Sequence, residues 1–143
     1  IVGYADASDS TVTVTDCHFD GIVISVSHAG GIVGRARCGW YGFESGLNRV
    51  DHHGYVHVRD CTVNGEITSD STDVADITKS VGGVVGHADY SCGGFEISRC
   101  TNNASVLSKG CAGGIVGRVK CSDDDSGKFS VTLDELENNG MFF

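Results

Sequence analysis

A glycine-rich pentapeptide recurs along the chain at a regular spacing. Gly-Gly-Ile-Val-Gly occurs at 30–34 and again at 113–117, Gly-Gly-Val-Val-Gly lies between them at 82–86, and residues 1–3 match the last three positions of a further copy. The closing glycines are separated by 31, 52 and 31 residues. A repeat of this length indicates a structural module that buries its apolar face by stacking on its neighbours. The basic unit is therefore 31 residues, with one enlarged copy.

A second motif recurs at a cysteine that lies four residues before a small residue. Cys17, Cys61 and Cys100 occupy this position, and Leu136 takes it in the last copy. The residues that precede it alternate between apolar and polar, which is typical of a half-buried strand. The apolar positions are Val12, Val56, Phe95 and Val131, followed by Val14, Val58, Ile97 and Leu133. Each repeat is therefore predicted to open with a strand.

Two further strands are predicted in each repeat, and no segment has the periodicity of a long helix. The second strand surrounds Val23, Ile67, Val106 and Phe142, and the third is the glycine motif itself, continuing into Ala36, Ala88 and Val119. Stacked repeats would place equivalent strands about 4.8 Å apart. The sequence thus predicts an all-β fold, a parallel β-solenoid (β-helix) of about four repeats. The single domain covers 1–143, with a partial repeat at each end and insertions at about 39–53, 69–77 and 122–127.

Equivalent positions of successive repeats form columns in a stacked fold, and one of these columns is polar. Asp20, Asn64, Asn103 and Asn139 lie directly before the small residue of the second motif. Asn and Asp tolerate tight turns, and stacked amides can hydrogen-bond from one repeat to the next. We expect an amide ladder along this column.

The two motifs together resemble the GLUG repeats of bacterial surface proteins, which include adhesin-like and IgA-protease-like polypeptides. The resemblance rests on the Gly-Gly-Ile/Val-Val-Gly core with the upstream Cys-x-x-Asn/Asp-Gly turn. It implies an extracellular location at the cell surface and a stalk or adhesive role, without a known catalytic apparatus. The seven cysteines and the insertions go beyond the family's pattern and indicate a specialised member.

The cysteines divide into two groups. Cys17, Cys61 and Cys100 share one apolar column and are expected to form a buried thiol stack. Cys38, Cys92, Cys111 and Cys121 fall near predicted turns. Four cysteines allow three connectivities, of which we favour Cys38–Cys92 with Cys111–Cys121. Disulfides, like the family resemblance, favour a location outside the cytoplasm.

Charge and composition argue against several functions. Ten Lys and Arg residues against 19 Asp and Glu give a net charge of −9, which provides no basic surface for nucleic acid. No apolar run approaches the roughly 18 residues of a membrane span. His52, His53 and His57 are expected to be solvated rather than catalytic or metal-ligating. We therefore expect neither enzymatic activity nor a cofactor or metal.

The first insertion contains the strongest candidate for recognition. Trp40, Tyr41 and Phe43 lie there among glycines. Such aromatics suit stacking on sugars or contact with a host protein, and they suit equally well the covering of the solenoid flank. Separately, Asn103-Ala104-Ser105 is an N-glycosylation sequon.

The two ends of the chain lie at complementary points of the repeat. The chain begins inside the third predicted strand of one repeat and ends inside the second predicted strand of another. Head-to-tail stacking would join Ile1, Val2 and Gly3 of one copy to Met141, Phe142 and Phe143 of the next, and such a contact propagates into a filament. The sequence thus predicts an extracellular structural or adhesive protein that self-associates end to end or forms a stalk segment between flanking repeats of a longer chain. The alternative is a carbohydrate-binding or carbohydrate-active β-helix domain that uses the aromatic loop.

Overall fold

The computed structural model of the protein describes residues 1–44, 48–70, 79–90, 92–121 and 129–141, with side chains for all of these except 43, 44, 48, 90, 121 and 129. Over those ranges the chain is all-β. The strands are β1 (Val2–Ala7), β2 (Thr11–Thr15), β3 (His18–Ser25), β4 (Ala29–Gly30), β5 (Val33–Cys38), β6 (Trp40–Glu44), β7 (Asn48–His52), β8 (Gly54–Arg59), β9 (Thr62–Ser69), β10 (Ser80–Gly82), β11 (Val85–Tyr90), β12 (Gly93–Ser98), β13 (Thr101–Asn102), β14 (Ser105–Leu107), β15 (Cys111–Gly113), β16 (Val116–Cys121), β17 (Phe129–Asp134) and β18 (Glu137–Asn138).

Equivalent strands of successive repeats pair in parallel and form four sheets. The first sheet has the order β1-β5-β11-β16, the second β2-β8-β12-β17 and the third β4-β10-β15. In the fourth, β9 pairs with β3, β13 and β14, and β13 pairs with β18. Among the described strands only β6 and β7 pair antiparallel. The predicted all-β, parallel-strand arrangement is confirmed.

The pairing register confirms the alignment of the repeats. Phe95 pairs with Val56 on one side and Val131 on the other, and Val56 pairs with Val12. In the first sheet the residues of one column are Val2, Val33, Val85 and Val116. A column of apolar residues thus runs through all four repeats in each of these sheets.

The glycine motif forms a bend between two strands, so the prediction that it lies within a third strand is wrong. Gly30 ends β4, residues 31 and 32 bend, and Val33 begins β5; the other two complete copies do the same. A Cβ on Gly31 would collide with the Val63 side chain and the backbone of Gly83. The motif therefore allows a tight corner over a packed interior, and each repeat has a short extra strand before it.

The core lies between the sheets and is built from small aliphatic side chains. β5 packs against β8, and β10 against β9. Its largest fully buried members are Phe95, Ile32, Ile67, Ile97, Val33, Val56, Val58, Val63, Val81, Val84, Val85 and Val106. The core is best covered in the two middle repeats, because repeats flank these on both sides.

The corner after the second sheet has a left-handed residue in every repeat. Asp16, Asp60, Arg99 and Glu135 have φ of 53°, 54°, 49° and 48°. Each lies directly before the cysteine or leucine of the second motif. Arg99 Nε and Nη2 donate to the Asp60 carboxylate at 2.7 and 2.9 Å, which joins two of the four corners.

Candidate functional site

The outer face of the first sheet carries rows of charged, aromatic and imidazole side chains. Strand alternation turns Ala5, Ala36 and Ala88 toward the core and their neighbours outward. The outward rows are Tyr4, Arg35, His87 and Arg118, then Asp6, Arg37, Asp89 and Lys120. His28, which precedes β4, lies over these rows. His28, Arg35, His87, Asp89, Arg118 and Lys120 line a cavity of about 180 Å³, which we call the histidine cluster.

Hydrogen bonds hold the two histidines of this cluster in place. Their rings stack with centroids 4.4 Å apart. The Ser80 hydroxyl lies 3.0 Å from His28 Nδ1 and 3.3 Å from His87 Nδ1, and His87 Nε2 lies 2.8 Å from Asp89 Oδ1. The Ser80 hydroxyl therefore bridges the two imidazoles, and the histidine tautomers decide which Nδ1 it donates to and which it accepts from.

Charge and burial set the protonation of this cluster. Burial, and after it the neighbouring His87 and Arg35, lower the pKa of His28 to about 4, so His28 is neutral at pH 7. Burial alone would raise the pKa of Asp89, but hydrogen bonds from His87 and Arg35 outweigh it and hold that pKa below its usual value. Arg35 Nε donates to Asp89 Oδ2 at 2.9 Å. The cluster thus places Arg35, Arg118 and Lys120 around one cavity with the Asp89 carboxylate.

Ser80, His87 and Asp89 are the residue types of a catalytic triad, but their burial argues for another role. The Ser80 hydroxyl is fully buried beneath the two rings, so a substrate would have no path to it. A nucleophile must reach its substrate. The three residues therefore orient the imidazoles.

The predicted recognition loop forms an antiparallel strand pair, β6 with β7. Trp40 pairs with His52 across the strands, and their rings stack 4.3 Å apart. The Arg49 guanidinium lies 4.6 Å from the centre of the Tyr41 ring. Trp40 and Tyr41 are 36% and 38% exposed. Because adjacent strand residues face opposite sides, they do not form one continuous aromatic platform. The Phe43 side chain lies outside the described residues.

Both ends of this strand pair are tied to the body of the protein. Gly39 N donates to Ala7 O at 2.8 Å, and Gly39 has a φ of +68° at a point where a Cβ would collide with Cys92 O. His52 Nδ1 contacts the Asp9 carboxylate. Next to this contact, Asp9, Ser10, Thr11, His53 and Tyr55 line a shallow cavity of about 330 Å³. The β6–β7 strand pair is thus fixed against the body of the protein, and its aromatic rings remain partly exposed.

The three column cysteines stack with the same side-chain geometry. Cys17 Sγ donates to Thr15 O at 3.3 Å, Cys61 Sγ to Arg59 O at 3.0 Å and Cys100 Sγ to Ser98 O at 3.3 Å. Cys61 and Cys100 are buried, and Cys17 is half-buried. A hydrogen bond with Cys100, together with burial, raises the pKa of the Cys61 thiol. The hydrogen bond with Cys61 lowers the pKa of the Cys100 thiol to about 7, so Cys100 is the most acidic thiol of this column.

The favoured Cys38–Cys92 bridge is not formed in the structure, where both thiols are free. Cys38 is buried in the core and receives a hydrogen bond from the Val56 backbone, and its burial raises its pKa to about 12. Cys92 Sγ instead lies 3.9 Å from Arg49 Nη2. The Cys111–Cys121 bridge stays a prediction, because the Cys121 side chain lies outside the described residues.

The predicted amide ladder is confirmed for three residues. Asn103 Nδ2 donates to Asn64 Oδ1 at 2.9 Å, and Asn139 Nδ2 donates to Asn103 Oδ1 at 3.1 Å. Asn64 Nδ2 lies 3.4 Å from His18 Nε2 in the first repeat. Asn103 is exposed, and its glycosylation stays a prediction.

The predicted end-to-end residues lie on outer edges. Val2 pairs with Val33, and the Ile1 amine donates to Gly31 O at 3.2 Å. Gly3 lies beside Val2 in β1, the edge strand of the first sheet. Met141 O accepts from Val106 N at 2.6 Å, while the Met141 side chain is exposed. Phe142 and Phe143 lie outside the described residues, as do most of the predicted insertion 69–77 and all of 122–127.

The histidine cluster was missed by sequence reasoning, although its signal is present. The residues after each glycine motif alternate as Arg-Ala-Arg, His-Ala-Asp and Arg-Val-Lys. Reading the outward positions of that segment across the repeats predicts a basic surface with histidine. His28 carries no such signal, because only the fold brings it over β11.

The chain matches no protein-family model, no curated protein and no solved structure. In the part of the chain that the structure describes, no helix has the length and hydrophobicity of a membrane span. The described His, Cys, Asp and Glu side chains form no group of three or more placed to hold a metal ion.

Proposed function

We propose that this protein is a structural or adhesive β-solenoid at the cell surface, and that copies stack end to end along the solenoid axis. The observation that carries the proposal is the exposed apolar face of the last repeat. Val131 and Leu133 are 38% and 55% exposed, whereas their ladder partners Phe95 and Ile97 are 1% and 0% exposed. Full burial of such a side chain is worth about 1.5–3 kcal/mol, and covering the exposed part of these two would gain about half of that for each.

A second copy is the occupant that best fits this face. The first repeat has the same columns as the last, and Val12 and Val14 stand where Val131 and Leu133 stand three repeats later. If β2 of a second copy paired with β17 of the first, the parallel register would continue from one copy into the next. Within each copy β2 already pairs in this register with β8. Among the described strands, β16 and β17 each pair on one side only, and a second copy would offer them a parallel partner on the other. The location at the cell surface rests on the resemblance to GLUG repeats.

Sedimentation velocity over a wide range of protein concentrations tests this proposal. The wild-type protein should show a sedimentation coefficient that rises with concentration. Leu133→Glu should remove this rise, because a carboxylate would then face the next copy. Leu107→Glu is the matched control, since Leu107 is 39% exposed but lies next to buried Val106 on the outer side of β14.

A monomeric wild-type protein at every concentration would overturn the proposal. An equal loss of association in Leu107→Glu would also overturn it, because association would then use the lateral surface. Circular dichroism and thermal unfolding of each variant would show that it is folded.

Carbohydrate binding beside the β6–β7 strand pair is the second candidate. The shallow cavity there is lined by polar side chains and by Tyr55, which is exposed, and Trp40 lies on the neighbouring His52 ring. Aromatic rings beside hydrogen-bonding groups suit a sugar. A glycan array should then give signals that Tyr55→Ala removes, whereas Tyr4→Ala, an exposed tyrosine on the first sheet, should keep them.

A further inference from the structure

We propose that Cys17 and Cys61 form an oxidation site, at which reaction with a small disulfide compound links the first repeat covalently to the second. The backbone register places the two cysteines side by side. His18 pairs with Thr62, the residues directly after them, and Thr62 N donates to Cys17 O at 2.9 Å. Neighbouring parallel strands lie about 4.8 Å apart, within the roughly 4.4–6.8 Å between Cα atoms that a disulfide spans.

The two side chains point in the same direction. Cys17 Sγ donates to Thr15 O, and Cys61 Sγ donates to Arg59 O, the equivalent carbonyl of the next repeat. The residue before each cysteine has a left-handed φ, 53° in the first repeat and 54° in the second. The two thiols are in hydrogen-bonding contact with each other. A bridge between them can therefore close without separating the paired strands.

Exposure distinguishes this pair from the other neighbouring pair of the column, Cys61 and Cys100. Cys61 and Cys100 are 1% and 0% exposed, whereas Cys17 is half-buried. Oxidation begins at a thiolate that the reagent can reach. Cys100 is the more acidic thiol, but its sulfur is closed to a reagent from solvent. Cys17 is therefore the point of attack, and Cys61 is the thiol in contact with it.

The reaction consists of two thiol–disulfide exchanges. The Cys17 thiolate attacks one sulfur of glutathione disulfide, which forms a mixed disulfide and releases one glutathione thiolate. The Cys61 thiolate then attacks Cys17 Sγ, and the second glutathione thiolate leaves. The two protein thiols lose two electrons, which reduce the glutathione disulfide, and their two protons pass through solvent to the two glutathione thiolates.

The bridge would tie the first repeat to the second across the first insertion, which lies between them in sequence. Such a cross-link restricts the unfolded chain and thereby stabilises the folded protein. We expect the midpoint of thermal unfolding to rise by about 5 °C on oxidation and to return to its starting value with dithiothreitol.

Peptide mapping identifies the bridge directly, because cleavage by trypsin after lysine and arginine leaves each of the seven cysteines on a different peptide. The folded protein is incubated with glutathione disulfide at pH 8.5, which ionises more of each thiol than pH 7 does. A low protein concentration keeps end-to-end contacts from covering the first repeat. The remaining thiols are then alkylated, and the protein is digested without reductant. We expect peptide 1–35 linked to peptide 60–79, and reduction should separate them.

Two variants separate this pair from the rest of the column. Cys100→Ala should keep the link, because Cys100 takes no part in it. Cys61→Ala should abolish the link and should not join Cys17 to Cys100, since two strand spacings of about 4.8 Å exceed the roughly 7 Å limit for a disulfide. Circular dichroism of each variant would show that it is folded.

The same oxidation in concentrated urea is the control for the role of the fold. The unfolded chain should give links among many pairs of cysteines, including pairs that are not neighbours in the column. The inference is overturned if the folded wild-type protein gives no link between peptides 1–35 and 60–79. It is also overturned if Cys61–Cys100 or Cys17–Cys100 links form in place of that link.

Discussion

Asn102 packs against Gly83, and its amide Nδ2 donates to Asn138 Oδ1 of the next repeat at 2.8 Å. The same amide bridges the chain locally, because Ala104 N donates to Asn102 Oδ1 at 3.1 Å. Asn138 packs on Gly114 in the next repeat, and Val63 packs on Gly31 in the previous one. The glycine motif and the cysteine motif therefore recur together because one packs on the other inside each repeat.

Replacing Gly83 with alanine should destabilise the protein by about 1–3 kcal/mol, the usual range for overpacking. The added methyl would meet the Asn102 amide and the Gly114 carbonyl, neither of which can move without breaking hydrogen bonds between repeats. Gly3→Ala is the control, because a Cβ there meets nothing within 4 Å. Urea unfolding would measure both, and equal effects would show that this packing is unimportant.

Replacing Glu135 with glycine should stabilise the protein by about 1 kcal/mol. Its φ of 48° is a left-handed conformation, which costs a non-glycine residue about 1–2 kcal/mol, and its side chain is exposed. Asp134→Gly, one residue earlier in the extended β17, should instead destabilise by about 0.5–1 kcal/mol. Thermal unfolding of both variants would check the opposite signs; a destabilised Glu135→Gly would contradict the corner geometry.

Buried Cys38 should make the protein less stable in alkali. Its pKa is raised to about 12 from an ordinary 9.0, so the folded state keeps the thiol proton that the unfolded state loses. The stability it contributes is complete below pH 9 and falls by about 1.4 kcal/mol per pH unit between pH 9 and 12.

Urea unfolding in reductant at several pH values would measure this slope. Cys38→Ala should have a shallower slope than the wild type, and Ile67→Val, a change in the core that leaves every thiol in place, should keep the wild-type slope. The same slope in all three proteins would argue against Cys38 as the cause.

The apolar columns and the parallel pairing were predictable, because the repeat spacing alone aligns Val56, Phe95 and Val131 in one column. The bend at Gly31 was not, because Gly-Gly-Ile-Val-Gly reads locally as an apolar strand and only packing against Val63 shows the corner. The left-handed residue at the corner before each cysteine or leucine was not predictable either. Arg99 and Glu135 give no sign of positive φ in the sequence.

The candidate sites were predicted less well than the fold. Spacing alone brought Cys38 and Cys92 near the same turn, but side-chain direction separates them, since Cys38 faces the core and Cys92 faces Arg49. The histidine cluster depends on the placement of His28 over His87, 59 residues apart in sequence. Such a contact follows from the stacking of repeats and leaves no local pattern.

Electron microscopy and fibre diffraction of the purified protein, at increasing concentrations, test the central claim most directly. End-to-end stacking predicts unbranched fibres with a reflection at about 4.8 Å along the fibre axis, the spacing of parallel strands that lie across the axis. Leu133→Glu should give isolated short particles under the same conditions. Short particles of wild-type protein at every concentration, or fibres without the axial 4.8 Å reflection, would contradict axial stacking of the repeats.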